Sequence, residues 1–282
     1  MIPINTIAYG LTIGGILYII SIGLSLTFGT MRIVNFAHPI AYTLGAYFLI
    51  TLLPFIKGIK GAFFFGALIS ILAIIPIGYL IERYVIRKLY GVAIDYAIIA
   101  TYAVFLIGID LIKWIWGTNP IPLSDPIGTE ITFFSVPLPL YRVTVIGISL
   151  AIYLCLWFFF KRSIVGKIVV AALEDKDAVR SLGIKVDRYF SFVFVLGSCL
   201  AGLGGVLYAP ITSVHPYMGF MILLLSFAVV IVGGLGNLQG TFISAFGLGM
   251  VIAITGRYWP PASEAMVFVV MAIVLIFHPI EV

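Results

Sequence analysis

Nine stretches of this chain, roughly 5–28, 36–53, 62–81, 93–116, 141–160, 190–209, 219–234, 240–256 and 263–279, are apolar runs near the length a helix needs to cross a hydrocarbon layer, about 20 residues. Lipid offers no partner to an exposed N–H or C=O, so such runs are stable only as helices that satisfy their backbone internally. Composition agrees. Hydrophobic residues make up 62% and charged residues 10%, where a soluble domain averages about 25% charged. A water-soluble fold of 282 residues could not cover that much apolar surface. Length alone would allow two soluble domains, but hydropathy favours one membrane domain over 1–282. The expected fold is therefore all-α, a polytopic transmembrane bundle of about eight to nine segments with broken or re-entrant helices.

The basic residues stand in short loops between apolar runs, which is a topogenic pattern and not a nucleic-acid patch. The loop of about 161–190 holds Lys161, Arg162, Lys167, Lys176, Arg180, Lys185 and Arg188, and the loop near residue 85 holds Arg83, Arg87 and Lys88. Both are expected to be cytoplasmic. Alternation then places the N-terminus outside, the C-terminus in the cytoplasm, and the loop of about 117–140 outside. That loop carries Asp125 and Glu130 but no Lys or Arg. Lys57 and Lys60 violate the scheme mildly. No basic region precedes the first apolar run, so it does not read as a cleaved signal peptide. Cys155 and Cys199 lie inside apolar runs and are expected to act as small apolar residues.

Two interruptions stand out. In T-F-G-T-M-R-I-V-N-F-A-H-P, residues 27–39, Gly29 and Arg32 break the apolar run. Asn35 suits the N-cap of the next helix and Pro39 its first turn. A helix start beside a pathway presents free N–H groups to a polar solute. The same residues also suit a plain cytoplasmic turn anchored by Arg32. The second interruption is V-G-G-L-G-N-L-Q-G, residues 232–240, which marks a helix break or a close helix approach. By the topology above both lie on one side of the membrane, and a matched pair of interrupted segments is a pointer to a transport site.

The cytoplasmic stretch A-A-L-E-D-K-D-A-V-R-S-L-G-I, residues 171–184, carries an incomplete apolar stripe and ends on Gly183, a suitable C-terminal residue for a helix. Glu174, Asp175 and Asp177 dilute its charge too far for a lipid-surface helix, so a protein partner is expected to cover it. The five prolines of 117–140 predict an irregular or short hairpin-like cap, either a connector or an external docking surface. Asp110 and Lys113 are spaced to pair on one helix face. No G-x-x-x-x-G-K-[ST] occurs, so nucleotide binding by this chain is unsupported, and the scattered His38, His215 and His278 suggest no catalytic constellation and no metal site. The chain is not expected to be an enzyme.

These residues resemble the permease subunits of bacterial and archaeal ABC importers for branched-chain amino acids, the shorter of the two permease types. R-I-V-N-F-A-H (32–38) with L-G-A-Y (44–47) is similar to the family's stretch after its first helix, and G-G-L-G-N-L-Q-G (233–240) to its late Gly-rich stretch. The 171–184 segment resembles the coupling loop E-A-A-x-x-x-G, with Asp177, Ala178, Val179 and Gly183 in those places. Pro39 and Ile40 stand where relatives commonly have Gly and an acidic residue. The resemblance implies a membrane subunit that imports branched-chain, hydrophobic amino acids across the cell membrane. The implied partners are a second permease subunit, two cytoplasmic ATPase subunits, an extracytoplasmic solute-binding protein and membrane lipid, with no nucleic acid. It implies no cofactor in this chain, because ATP is used by the partner subunits. Asn35, Phe36, Ala37, His38, Gly233, Gly234 and Asn237 are then the substrate-pathway candidates. Ala171, Leu173, Asp177, Ala178, Arg180, Leu182 and Gly183 are the ATPase-coupling candidates. Alternatives are the same architecture carrying urea, short amides or another small solute, and a stand-alone secondary carrier.

Overall fold

A computed structural model describes residues 3–31, 33–56, 58–133 and 136–277. Its helices are α1 (Ile4–Met31), α2 (His38–Ile56), α3 (Ala62–Tyr84), α4 (Ile94–Trp116), α5 (Leu140–Arg162), α6 (Ile164–Glu174), α7 (Lys176–Ser181), α8 (Val186–Tyr208), α9 (Met218–Gly233), α10 (Leu238–Tyr258) and α11 (Ala265–Phe277). The apolar helices follow the expected segments to within a few residues. Seven are long and apolar enough to cross a membrane, whereas α9 and α11 are shorter. At 1.5 Å per residue, the 16 residues of α9 reach only about 24 Å, less than a full hydrocarbon layer of about 30 Å. Arg32, Lys57 and His278 fall outside the described residues, so the anchoring role expected of Arg32 does too.

α1 is the axis of the bundle. It is apolar on every side, and 89% of its most apolar window is buried, as expected of a helix surrounded by other helices. It packs on α10, α8, α5 and α9, and α8 in turn packs on α2 and α3. Small residues allow these approaches, because apolar helices in lipid associate through close van der Waals contact. Gly23 of α1 faces Gly197 of α8, and Gly14 faces Gly249 of α10. By contrast α3, α4 and α5 bury only 28%, 22% and 22% of their apolar windows. Their outward faces, with Phe64, Leu72, Ile99, Ile107, Leu154 and Phe158 exposed, are apolar surface suited to lipid.

At the end of the bundle away from the basic loops, the Pro-rich segment forms the hairpin-like cap. Strands β1 (Glu130–Phe133) and β2 (Val136–Pro139) pair antiparallel with Glu130 opposite Pro139. Pro137 and Pro139 are tolerated because a two-stranded ribbon has only edges. Ile121 exchanges two backbone hydrogen bonds with Val214, 2.8 and 2.9 Å, which ties the cap to the α8–α9 connection. Lys113 and Asp110 form the expected i,i+3 pair, with Lys113 also 5.4 Å above the Tyr217 ring.

Candidate functional site

The first helix break is built by α4 as much as by its own residues. After Met31 ends α1, the Asn35 Oδ1 accepts from the Ala37 N–H at 3.0 Å, and His38 N–H donates to the Asn35 carbonyl at 3.4 Å. This is an Asx turn just ahead of α2, which starts at His38, so Asn35 shapes the turn and is not the helix N-cap expected of it. Thr101 of α4 then fastens the turn: its Oγ1 accepts from the Phe36 N–H at 3.2 Å and donates its one hydrogen to the Ala97 carbonyl at 2.8 Å, with the Val34 carbonyl 3.2 Å away. A threonine inside an apolar run gives no sequence signal of that role. His38 is buried, with its Nε2 3.1 Å from the Ile20 carbonyl of α1. A carbonyl only accepts, so Nε2 carries the hydrogen. Among the described residues the Asn35 Nδ2 and His38 Nδ1 are buried without a hydrogen-bond partner.

The second break begins where α9 ends at Gly233. Gly234 and Gly236 take positive φ, +85° and +73°, which glycine adopts freely. The Asn237 Oδ1 accepts from the Gly240 N–H at 3.0 Å and starts α10. The Gly236 N–H and the Thr241 hydroxyl both reach Ser25 Oγ of α1, at 3.0 and 3.2 Å. Gly233 and Gly240 lie backbone to backbone, leaving no room for a side chain on either.

The two breaks face one apolar cavity of about 660 Å³. Val34 and Phe36 line it from the first break, Leu235 from the second, Leu24 and Phe28 from α1, and Ile98 from α4. Its remaining wall is α9 and α11, including Leu224, Phe227, Ile231 and Phe268. The Phe36 ring lies 5.4 Å from that of Phe227 and 6.2 Å from that of Tyr102. Among the seven pathway candidates Phe36 lines this cavity. Ala37 is buried beneath it, Asn35 and His38 hold the turn, Gly233 and Gly234 shape the second break, and Asn237 is its exposed cap. The walls from α9 and α11 were not singled out by the sequence, since uniformly apolar runs mark no face as special.

The coupling candidates form two helices where the sequence suggested one. Asp175 divides them: its Oδ1 accepts from the N–H groups of Asp177, 3.0 Å, and Ala178, 2.9 Å, so a residue that the sequence offered only as acidic charge within the segment is the N-cap of α7. Gly183 ends the segment at φ +78°, as expected. Ala172 and Val179 point inward to Val186 and Phe190 of α8, while Ala171, Asp177, Ala178 and Leu182 are exposed. Arg180 donates to Asp187 at 2.9 Å and so pins α7 to α8. Lys176 lies 5.2 and 5.1 Å above the rings of Tyr90 and Phe190, and burial together with Arg180 holds its ammonium below the ordinary lysine range. Leu173 is half-buried beside Gly29 of α1 and Gly236 of the second break. A Cβ built on Gly29 would lie 2.9 Å from the Gly236 Cα and 3.0 Å from Leu173 Cδ2, so α1, the second break and α6 meet at one point.

Residues 6–278 match the family described as branched-chain amino acid transport system / permease component. The chain is 27% identical to the high-affinity branched-chain amino acid transport system permease protein LivH of Salmonella typhimurium, across 96% of this chain and 92% of the relative. It is 26% identical to the corresponding permease BraD of Pseudomonas aeruginosa over the same shares. Among solved structures it resembles a chain of PsaBC from Streptococcus pneumoniae in complex with Fab, with a TM-score of 0.50 and 16% identity over 97% of this chain and 89% of that one. That likeness concerns the fold.

Proposed function

This chain belongs to the permease-component family of branched-chain amino acid transport systems, and from that premise we propose that it is the membrane subunit of an ATP-driven importer of branched-chain amino acids. The observation that carries the reading is the family match over nearly the whole chain. The character of the cavity supports the cargo class: an aliphatic side chain needs apolar walls and few polar fixtures, and Phe36, Leu235, Phe227 and Ile231 supply such walls. In this reading the two breaks flank the route, and Asn35 and His38 hold its shape from behind.

The partners are a second permease chain, two cytoplasmic ATPases and an external solute-binding protein. The exposed Ala178 and Leu182 suit an ATPase contact, and the basic loops suit the cytoplasmic side, with the N-terminus outside. ATP chemistry belongs to the partner chains; this one has no nucleotide loop.

Uptake into proteoliposomes holding the complete transporter tests the cargo. Leucine, isoleucine and valine should accumulate with ATP and compete with one another, while a large excess of urea leaves their uptake unchanged. Equal competition by urea or a short amide would give the cargo to another class. Narrowing the cavity with Ile231→Trp should lower leucine uptake by about tenfold or more and valine uptake less, since one methylene in an apolar pocket is worth about 10–200-fold. An equal fall for both would separate Ile231 from selectivity.

A further inference from the structure

Among the described residues, Glu82 is the one Asp, Glu, Lys or Arg that is fully buried. It sits in the last turns of α3, beside the chain turn at residues 86–90. Its carboxylate accepts from Arg87 through both oxygens, Nε to Oε1 at 3.1 Å and Nη2 to Oε2 at 3.0 Å, and from the Tyr90 hydroxyl at 3.2 Å. The same Arg87 Nη2 reaches Ser191 Oγ of α8 at 2.6 Å, and Ser191 in turn donates to the Asp187 carbonyl. A bidentate carboxylate–guanidinium pair fixes direction as well as distance. This clasp therefore locks the 86–90 turn to both α3 and α8.

The clasp's apolar side joins the two regions that transport must connect. Tyr90 packs with Val179 of α7, Ala172 of α6 and Phe190 of α8 in one cluster. It also packs with Ile33, Ile86 and Phe194 in another, and Met31 belongs to both. Met31 and Ile33 are the residues on either side of the point where α1 gives way to the first break. Lys176 of α7 also lies over the Tyr90 ring. A displacement of α7 is thus received by a turn that cannot yield separately from α3 and α8, and that turn rests against the start of the break. Packed cores respond as units and not as continuously soft material.

We propose that the Glu82–Arg87–Tyr90 clasp is the joint through which the α6–α7 segment moves the 33–38 break, with all three acting as positioning residues. The proposal rests on the coupled-permease reading, and its test separates the two. The complete reconstituted transporter, with Cys155 and Cys199 replaced by alanine, would carry Phe36→Cys as a reporter in the cavity wall. Maleimide labelling of that cysteine is measured with and without ATP, alongside ATP hydrolysis by the same monodisperse sample. With Glu82 present, ATP should change the labelling rate about fivefold or more. With Glu82→Gln the change should shrink below about twofold while hydrolysis persists, because the uncoupled ATPases still turn over. Tyr90→Phe keeps the ion pair and one ring but removes the hydroxyl bond, so it should give an intermediate response. It also serves as the test variant where Glu82→Gln does not assemble. A full ATP-dependent change in both variants overturns the joint alone. Equal loss of hydrolysis and labelling response, in proportion to assembled protein, makes the clasp merely structural and also overturns it. A transporter with Glu82 intact that shows no response to ATP overturns the coupled-permease reading and the joint with it.

Discussion

Gly205→Val should leave little or no assembled protein. Gly205 of α8 lies so close to α2 that a Cβ built on it would overlap the carbonyl oxygen of Tyr42, and one on Gly45 of α2 would overlap the Gly202 carbonyl of α8 in return. Ordinary overpacking of a core costs about 1–3 kcal/mol because side chains can rotate aside. Here the obstacle is backbone, so relief requires the two helices to separate along their contact. That separation weakens many small dispersion contacts at once, on helices that also carry Tyr42, Ala46 and Tyr47 at full burial. The expected loss is more than about 3 kcal/mol, a large share of a typical stability of about 5–15 kcal/mol. Size-exclusion chromatography of detergent extracts and thermal unfolding give the readout. Gly147→Ala on α5 is the control. No neighbouring atom lies within 4 Å of a Cβ there, and alanine favours a helix over glycine by about 1 kcal/mol, so this variant should melt at or slightly above the parent. A monodisperse Gly205→Val protein with parental melting would contradict the close α2–α8 crossing.

The order of the apolar helices was legible because each apolar run is bounded by charge, Gly or Pro, although α9 and α11 are shorter than a crossing needs and seven helices are long enough. The cap at 117–140 was legible for the same reason, since its prolines exclude a continuous helix. The interior arrangement was less so. α1 and α4 have similar hydropathy, yet α1 is the buried axis and 22% of the α4 window is buried. In lipid, apolarity carries no instruction about inside and outside. What separates them is the distribution of small residues, Gly10, Gly14 and Gly23 in α1, which becomes meaningful only once partners such as Gly249 and Gly197 are placed opposite. At the site, the two breaks could be read from Asn35 and from the glycines of 233–240. The cavity between them could not, because its α9 and α11 walls are apolar residues within apolar runs. Asp175 illustrates a local rule that sequence could have used: Asp two and three residues ahead of the N–H groups of Asp177 and Ala178 is an N-cap signature. In the sequence Asp175 reads only as one of three acidic residues that dilute the charge of the segment.

Ala178→Asp combined with Leu182→Asp should abolish uptake by the complete transporter while leaving the permease folded. The inward residues of this segment, Ala172 and Val179, hold it to α8, and neither is changed. Arg180 keeps its 2.9 Å bond to Asp187, so α7 stays seated. The outward residues Ala178 and Leu182 are exposed, Leu182 to 76%. In the proposed orientation, an apolar side chain held out in this way at the end of α7 suits contact with a cytoplasmic partner. Two carboxylates there, beside Asp175 and Asp177, would have to be desolvated without a cation when an ATPase docks. Unpaired interface charges and lost hot spots cost about 2 kcal/mol or more each, so uptake should fall at least about 100-fold. It should then match liposomes from which the ATPases are omitted. The melting temperature of the isolated permease should shift little, since surface changes away from packed features usually stay within about 0.5 kcal/mol. Gly183→Val tests the same face through the backbone: at φ +78° a β-branched residue is strained by about 1–2 kcal/mol, so α7 would lose its ending and uptake should drop by a smaller factor. Uptake at parental rates by the double aspartate variant would remove α7 from the ATPase contact, and with it the route by which force reaches the helix breaks.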